Sequence, residues 1–139
     1  MTILLVDDDV DDRKLFVEAT REVDKAITCI VFGDGQEALA YLRNEDNALP
    51  DFIFLDLRMH GMSGKQCLKE IRQEPRLKPV PVIVYTTSRD VKESIELKNL
   101  GAAHFMSKPV SPDEVYYLIS FVLGENWNRI KQYDWNYEN

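Results

Sequence analysis

Five short stretches rich in apolar and β-branched residues punctuate this 139-residue chain, at residues 3–6, 27–32, 52–55, 80–85 and 102–106, and those at 3–6 and 52–55 are continuously apolar. A continuous apolar run of this length, bounded by turn signals, reads as a strand buried on both faces. Between successive runs lie segments whose apolar residues recur at helical spacing. Strand and helix therefore alternate five times, which predicts right-handed βαβ units and one parallel sheet with helices on both faces. In such open sheets, ligands bind at the carboxyl ends of the strands. The third run, Phe52-Ile53-Phe54-Leu55, leads straight into Asp56 and then a loop containing Gly61 and Gly64. Asp56 is thus a carboxylate placed where this architecture does its chemistry.

The first run exits into Asp7-Asp8-Asp9, and Val10, Phe16, Ala19 and Val23 mark the inner side of a helix that Asp9 or a neighbour can cap. After the second run, Gly33-Asp34-Gly35 breaks the strand. Asp34 with Glu37 starts a helix over about 36–45, with Ala38, Leu39 and Leu42 inward. Ser63 with Gln66 is a capping-box pattern for a helix to about Glu74 that turns Cys67, Leu68 and Ile71 inward. Pro75, Pro79 and Pro81 confine the next connection to loop. The fourth run exits into Thr86-Thr87-Ser88. Asp90 with Glu93 begins a helix with Val91, Ile95 and Leu97 on its inner side, and Gly101 stands where that helix stops. The fifth run exits into Ser107-Lys108-Pro109, and Ser111-Pro112-Asp113-Glu114 starts a last helix to about Leu123.

Composition narrows the function classes. A net charge of −7 leaves no basic footprint for nucleic acid. Cys29 and Cys67 are far apart with no histidine beside them, so they form neither a zinc site nor a disulfide framework and read as small apolar residues in a reducing compartment. No apolar run approaches the ~18 residues needed to span a bilayer. The N-terminus has neither a basic region nor a small-residue cleavage site, so a cytoplasmic location is expected, with no membrane partner.

If the strand ends share one rim, Asp7, Asp8, Asp56, Thr86 and Lys108 converge there. Packed carboxylates repel one another unless a cation is present or one is protonated. Magnesium suits them, because it takes hard oxygen ligands and uses one or two protein carboxylates together with phosphate oxygens. A lysine supplies a point charge to a phosphoryl group and a threonine donates a hydrogen bond. A carboxylate nucleophile with these companions suffices for phosphoryl transfer, which depends on positioning and charge neutralisation. Taken singly, an acidic run is an ordinary cap or solvated loop and a Lys-Pro an ordinary turn. Their joint placement at successive strand ends carries the reading.

The chain resembles a receiver domain of bacterial two-component response regulators, similar to the single-domain chemotaxis type. The resemblance rests on Ile3-Leu4-Leu5-Val6-Asp7-Asp8-Asp9, on Phe54-Leu55-Asp56-Leu57-Arg58-Met59-His60-Gly61-Met62-Ser63-Gly64, on Pro81-Val82-Ile83-Val84-Tyr85-Thr86-Thr87-Ser88 and on Gly101-Ala102-Ala103-His104-Phe105-Met106-Ser107-Lys108-Pro109. It implies a flavodoxin-like (βα)5 three-layer sandwich with parallel strand order 2-1-3-4-5, and a receiver domain over residues 1–124. It implies Asp56 as phosphoacceptor. It implies Asp7, Asp8, Asp56 and the Arg58 backbone carbonyl as ligands of Mg2+. Thr86 and Lys108 would hold the phosphoryl oxygens, Thr86 and Phe105 would form the switch, and the Lys108-Pro109 bond would be cis. The implied partners are a sensor histidine kinase or phosphotransfer protein and a downstream protein target. No enzymatic turnover is implied beyond the protein's own phosphorylation and dephosphorylation.

His60 stands where the family usually has Pro, and reads as a loop residue. Arg58 and Ser88 overlook the phosphate position. His104 reads as an exposed edge residue. Residues 125–139 form an aromatic-rich extension holding Trp127, Ile130, Tyr133, Trp135 and Tyr137. It either packs on its own domain or docks a partner or a second copy, since Trp and Tyr are favoured interface anchors. Three other classes compete. An aspartyl-nucleophile phosphatase would want an acid two residues after Asp56, where Arg58 stands. A flavin mononucleotide carrier would not place three aspartates after its first strand. A degenerate receiver that binds partners without phosphorylation would not need the full set of acids, Thr86 and Lys108.

Overall fold

Alternate residues of each strand point to opposite faces of a sheet, and here both faces are apolar. Ile3 and Leu5 of the first strand, with Phe52, Phe54, Ile83, Tyr85 and Met106, fill one side. Leu4 and Val6, with Ile53, Leu55, Val82, Val84 and Phe105, fill the other. Each side must be covered by helices, and the chain forms three layers. A computed structural model describes residues 1–109 and 111–124 of the protein.

The elements in chain order are β1 (Thr2–Val6), α1 (Val10–Val23), β2 (Thr28–Phe32), α2 (Gly35–Arg43), β3 (Phe52–Leu55), α3 (Gly64–Gln73), β4 (Val82–Thr86), α4 (Val91–Asn99), β5 (His104–Ser107) and α5 (Pro112–Gly124). A single 3-10 turn, Pro75–Leu77, interrupts the connection that the prolines mark as loop. The sheet is parallel, in the order β2-β1-β3-β4-β5. This is the flavodoxin-like arrangement that the family resemblance implies. The order reverses between β1 and β3, so their carboxyl ends flank the crevice where such sheets bind ligands.

α1 and α5 cover one face with Phe16, Ala19, Val115, Ile119 and Val122. Phe16 meets Phe54 edge-on, with ring centroids 4.9 Å apart. α2, α3 and α4 cover the other face with Ala38, Leu39, Leu42, Cys67, Leu68, Ile71 and Leu97. The caps fall where the acidic and hydroxyl side chains predict. Asp9, Asp34 and Ser63 accept from the amides of Asp12, Glu37 and Gln66. Asp90 accepts from Lys92, one residue short of the anticipated Glu93.

Some expectations fail. Val91 and Ile95 are exposed; Leu97 faces inward as expected, joined by Ser94 rather than by those two. With only three apolar residues in the helix, two stripes fitted the spacing equally well. Val10 is also exposed, because it opens α1 above the rim of the sheet. His104 is 5% exposed rather than an open edge residue. It shares a strand face with Met106, on the side that α5 covers. Cys67 is buried but Cys29, on edge strand β2, is only partly so. No helix among the described residues is long and apolar enough to cross a membrane. The extension at 125–139 lies outside the described residues.

Candidate functional site

Parallel pairing fixes the level of each strand exit. Val6 pairs with Leu55 and Leu55 with Val84, so Asp7, Asp56 and Tyr85 stand in one row and Thr86 one step beyond. The Asp56 amide donates to the Val6 carbonyl at 2.9 Å, continuing the ladder one residue past the strand. β5 lies next to β4, with Thr86 opposite Ser107. The next residue, Lys108, donates its backbone N–H to the Thr86 carbonyl at 2.6 Å.

From there the Lys108 side chain crosses the rim. Its Nζ donates to Asp7 Oδ2 at 2.7 Å, to Asp12 Oδ2 at 2.9 Å and to Asp56 Oδ2 at 3.3 Å. An ammonium has three protons, and each finds a carboxylate. The Lys108 side chain is 8% exposed and lies 5.7 Å from the centre of the Tyr85 ring. Burial works against its charge, but the bonds it donates to Asp12 and Asp7 and the nearby negative charges outweigh it and hold the proton well above the ordinary lysine range.

Oxygens of Asp7, Asp8 and Asp56 lie within 4.8 Å of one another. Burial pushes the Asp7 carboxyl up to about 6, against the pull of the Lys108 bond and of the Asp9 amide. Asp8 is more open. What burial it has raises its carboxyl, but His60 outweighs this by donating its backbone N–H at 3.0 Å and presenting Nδ1 at 2.8 Å, so the net direction is downward. A cluster of three carboxylates offers only hard oxygen donors, which suits a small divalent cation of the magnesium, manganese or calcium type.

The β3–α3 loop is held close against Asp56. The Arg58 amide approaches Asp56 Oδ1 at 3.4 Å, and its side chain is exposed, with Glu93 3.8 Å away. Gly64 donates to the Leu57 carbonyl, and a Cβ there would sit 2.1 Å from the Asp56 carbonyl oxygen. Thr86 is fully buried, and its hydroxyl accepts from the Ser88 amide at 3.4 Å. Phe105 points inward, packed in the core that α4 shares.

The structure therefore gathers Asp7, Asp8, Asp56 and Lys108 in one cluster, with Thr86 joined through the backbone. The Lys108-Pro109 bond, expected to be cis, is not: the described residues contain no cis peptide. An X–Pro bond prefers trans by only about 0.5–1 kcal/mol, and Lys108 meets its partners at both ends with the trans form. Two residues escaped the sequence reading. Asp12 looks like one more acid on a solvated helix face. Arg13, beside it, donates from Nη1 to the Asp7 carbonyl at 2.7 Å. Their i+4 and i+5 offsets from Asp8 put them one helical turn beyond the cap, which was the only available signal.

Known proteins share this fold. Residues 3–120 match the response regulator receiver domain. Response regulator Rcp1 of Synechocystis sp. is 31% identical over 121 residues, covering 84% of this chain and 82% of its own. The solved Mn(2+)-bound form of Rcp1 superposes with a TM-score of 0.75 at 30% identity, over 87% of this chain and 90% of that one. The phosphorylated cyanobacterial phytochrome response regulator RcpA gives 0.79 at 30% identity, over 87% and 89%. From the strand order, the clustered acids and these matches together, the chain belongs to the response regulator receiver domain family.

Proposed function

We propose that this receiver domain is a cytoplasmic phosphorylation switch that takes a phosphoryl group on Asp56 from a sensor histidine kinase or a phosphotransfer protein. The observation that carries the reading is the convergence of three carboxylates and one buried ammonium at the switch point of the sheet. An Asp56 oxygen attacks the donor phosphorus, a P–O bond forms, and the bond to the leaving nitrogen or acyl oxygen breaks with its electron pair. The product is an acyl phosphate on Asp56, returned to carboxylate by hydrolysis.

Asp7, Asp8, Asp56 and the Arg58 carbonyl would hold Mg2+, which neutralises charge on the transferring group. Lys108 would supply a positive charge to the transferring phosphoryl group, and the Thr86 hydroxyl would supply a donor. Phosphorylation adds about 1.5 to 2 negative charges. It shifts the protein between two states only as far as those states differ in their interaction with that charge. Thr86 and Phe105, on adjacent strands, would carry the change outward to a protein target. The protein turns over no other substrate on this reading.

The test is intact mass after incubation with acetyl phosphate and Mg2+. Wild type gains one phosphoryl group and Asp56→Asn gains none. Equal gain by both would overturn the assignment.

A further inference from the structure

Lys108 is shared by three carboxylates, and two of them, Asp7 and Asp56, also belong to the cluster that suits a cation. Asp12 is the third, and it stands outside that cluster. A cation placed among Asp7, Asp8 and Asp56 competes for the oxygens that Lys108 now uses and repels its ammonium. Two positive centres then need separate anions. Asp12 is placed to serve one of them.

Its position is set by the fold rather than by the ammonium. The Asp12 backbone N–H donates to the capping Asp9 side chain at 2.9 Å. The next residue, Arg13, ties the same helical turn to the Asp7 carbonyl at 2.7 Å. The first turn of α1 is thus anchored at two points, and the Asp12 carboxylate reaches Lys108 from a rigid element. The partner on the other side, Lys108, is nearly buried, so losing one of its bonds is not made good freely by water.

Resting on the phosphoacceptor reading above, we infer that Asp12 is a positioning residue that keeps the Lys108 ammonium at the reaction site once a divalent cation has taken up Asp7 and Asp56. Without it, Lys108 has no carboxylate of its own in the cation-loaded protein. It swings away from the point where charge builds on the transferring phosphoryl group. Losing a hydrogen bond to a charged group of this kind costs about tenfold or more.

The experiment compares wild type, Asp12→Asn and Asp11→Asn. Asp11 is exposed in the same helical turn and makes no bond to Lys108, so its variant controls for the lost charge. Two readouts are taken at saturating Mg2+: the 1H–15N signal of the Lys108 ammonium, and the rate of phosphoryl uptake from acetyl phosphate. The expected result is that wild type and Asp11→Asn keep a protected ammonium signal, whereas Asp12→Asn loses it and takes up phosphate about tenfold more slowly. If Asp12→Asn matches Asp11→Asn in both readouts, the inference is wrong. A slower uptake with an unmoved ammonium signal also overturns it, because Asp12 would then act other than through Lys108. If wild type takes up no phosphate, the proposed function fails, and the ammonium signal with Mg2+ judges Asp12 on its own.

Discussion

Gly64→Ala is the substitution whose effect follows most directly from the coordinates. A Cβ at Gly64 would lie 2.1 Å from the Asp56 carbonyl oxygen, 2.6 Å from Leu57 Cα and 2.8 Å from the Asp56 carbonyl carbon. All three are backbone atoms, more than ~1 Å inside ordinary contact for the nearest pair, so no side chain can rotate out of the way. The start of α3 must lift off the end of β3. Overpacking of a tight site costs typically 1–3 kcal/mol, and with only backbone to displace we expect the upper end, about 3 kcal/mol. For a chain of this length that lowers Tm by about 10 °C. Urea unfolding followed by circular dichroism measures it, with an unchanged m-value. Gly61→Ala is the internal control. Gly61 has φ +76° and open space where a Cβ would go, so it carries only the left-handed penalty of roughly 1–2 kcal/mol. If Gly64→Ala costs no more than Gly61→Ala, the close approach of α3 to Asp56 is not a constraint and the reasoning fails. Because the clash falls on Asp56 itself, phosphoryl uptake should slow as well.

Other consequences are separable. Asp7 holds its proton up to about pH 6 in the cation-free protein because it is buried, and a ligating carboxylate must be deprotonated. Mg2+ affinity by calorimetry should therefore fall about fivefold between pH 6 and 5 and steepen toward about tenfold per pH unit below that; a flat profile from pH 6 to 5 would contradict this. His60→Pro removes both hydrogen bonds to Asp8, so the Asp8 carboxyl should titrate higher than in wild type by NMR, and an unmoved titration would make His60 a bystander. Arg72 Nη2 donates to the Val80 carbonyl at 2.8 Å and the Leu77 carbonyl at 3.2 Å, bracing the approach to β4. Arg72→Ala should destabilise by about 1–3 kcal/mol while leaving phosphoryl uptake by the folded protein unchanged.

What the sequence disclosed and what it withheld divide along physical lines. Strand exits were legible because an apolar run that stops at a charge or hydroxyl marks both the strand and its end, as at Val6-Asp7, Leu55-Asp56 and Tyr85-Thr86. Capping was legible at Asp9, Asp34 and Ser63 because it is local, within three residues. Asp12 was not, because its partner lies 96 residues away and nothing near it in sequence distinguishes it from Asp11. The burial of His104 depends on α5 closing over an edge strand, which no strand pattern encodes. The exposure of Val91 and Ile95 reflects a helix with too few apolar residues to define a single stripe.

With Asp56 as the nucleophile, the phosphorylated protein carries an acyl phosphate at that position. Treating the protein with acetyl phosphate and Mg2+ and then reducing it with borohydride converts an acyl phosphate to homoserine, which peptide mapping locates. Homoserine is expected at position 56, dependent on Mg2+. Homoserine at Asp7, Asp8 or Asp12 instead, or none anywhere in protein that binds the cation, would contradict it.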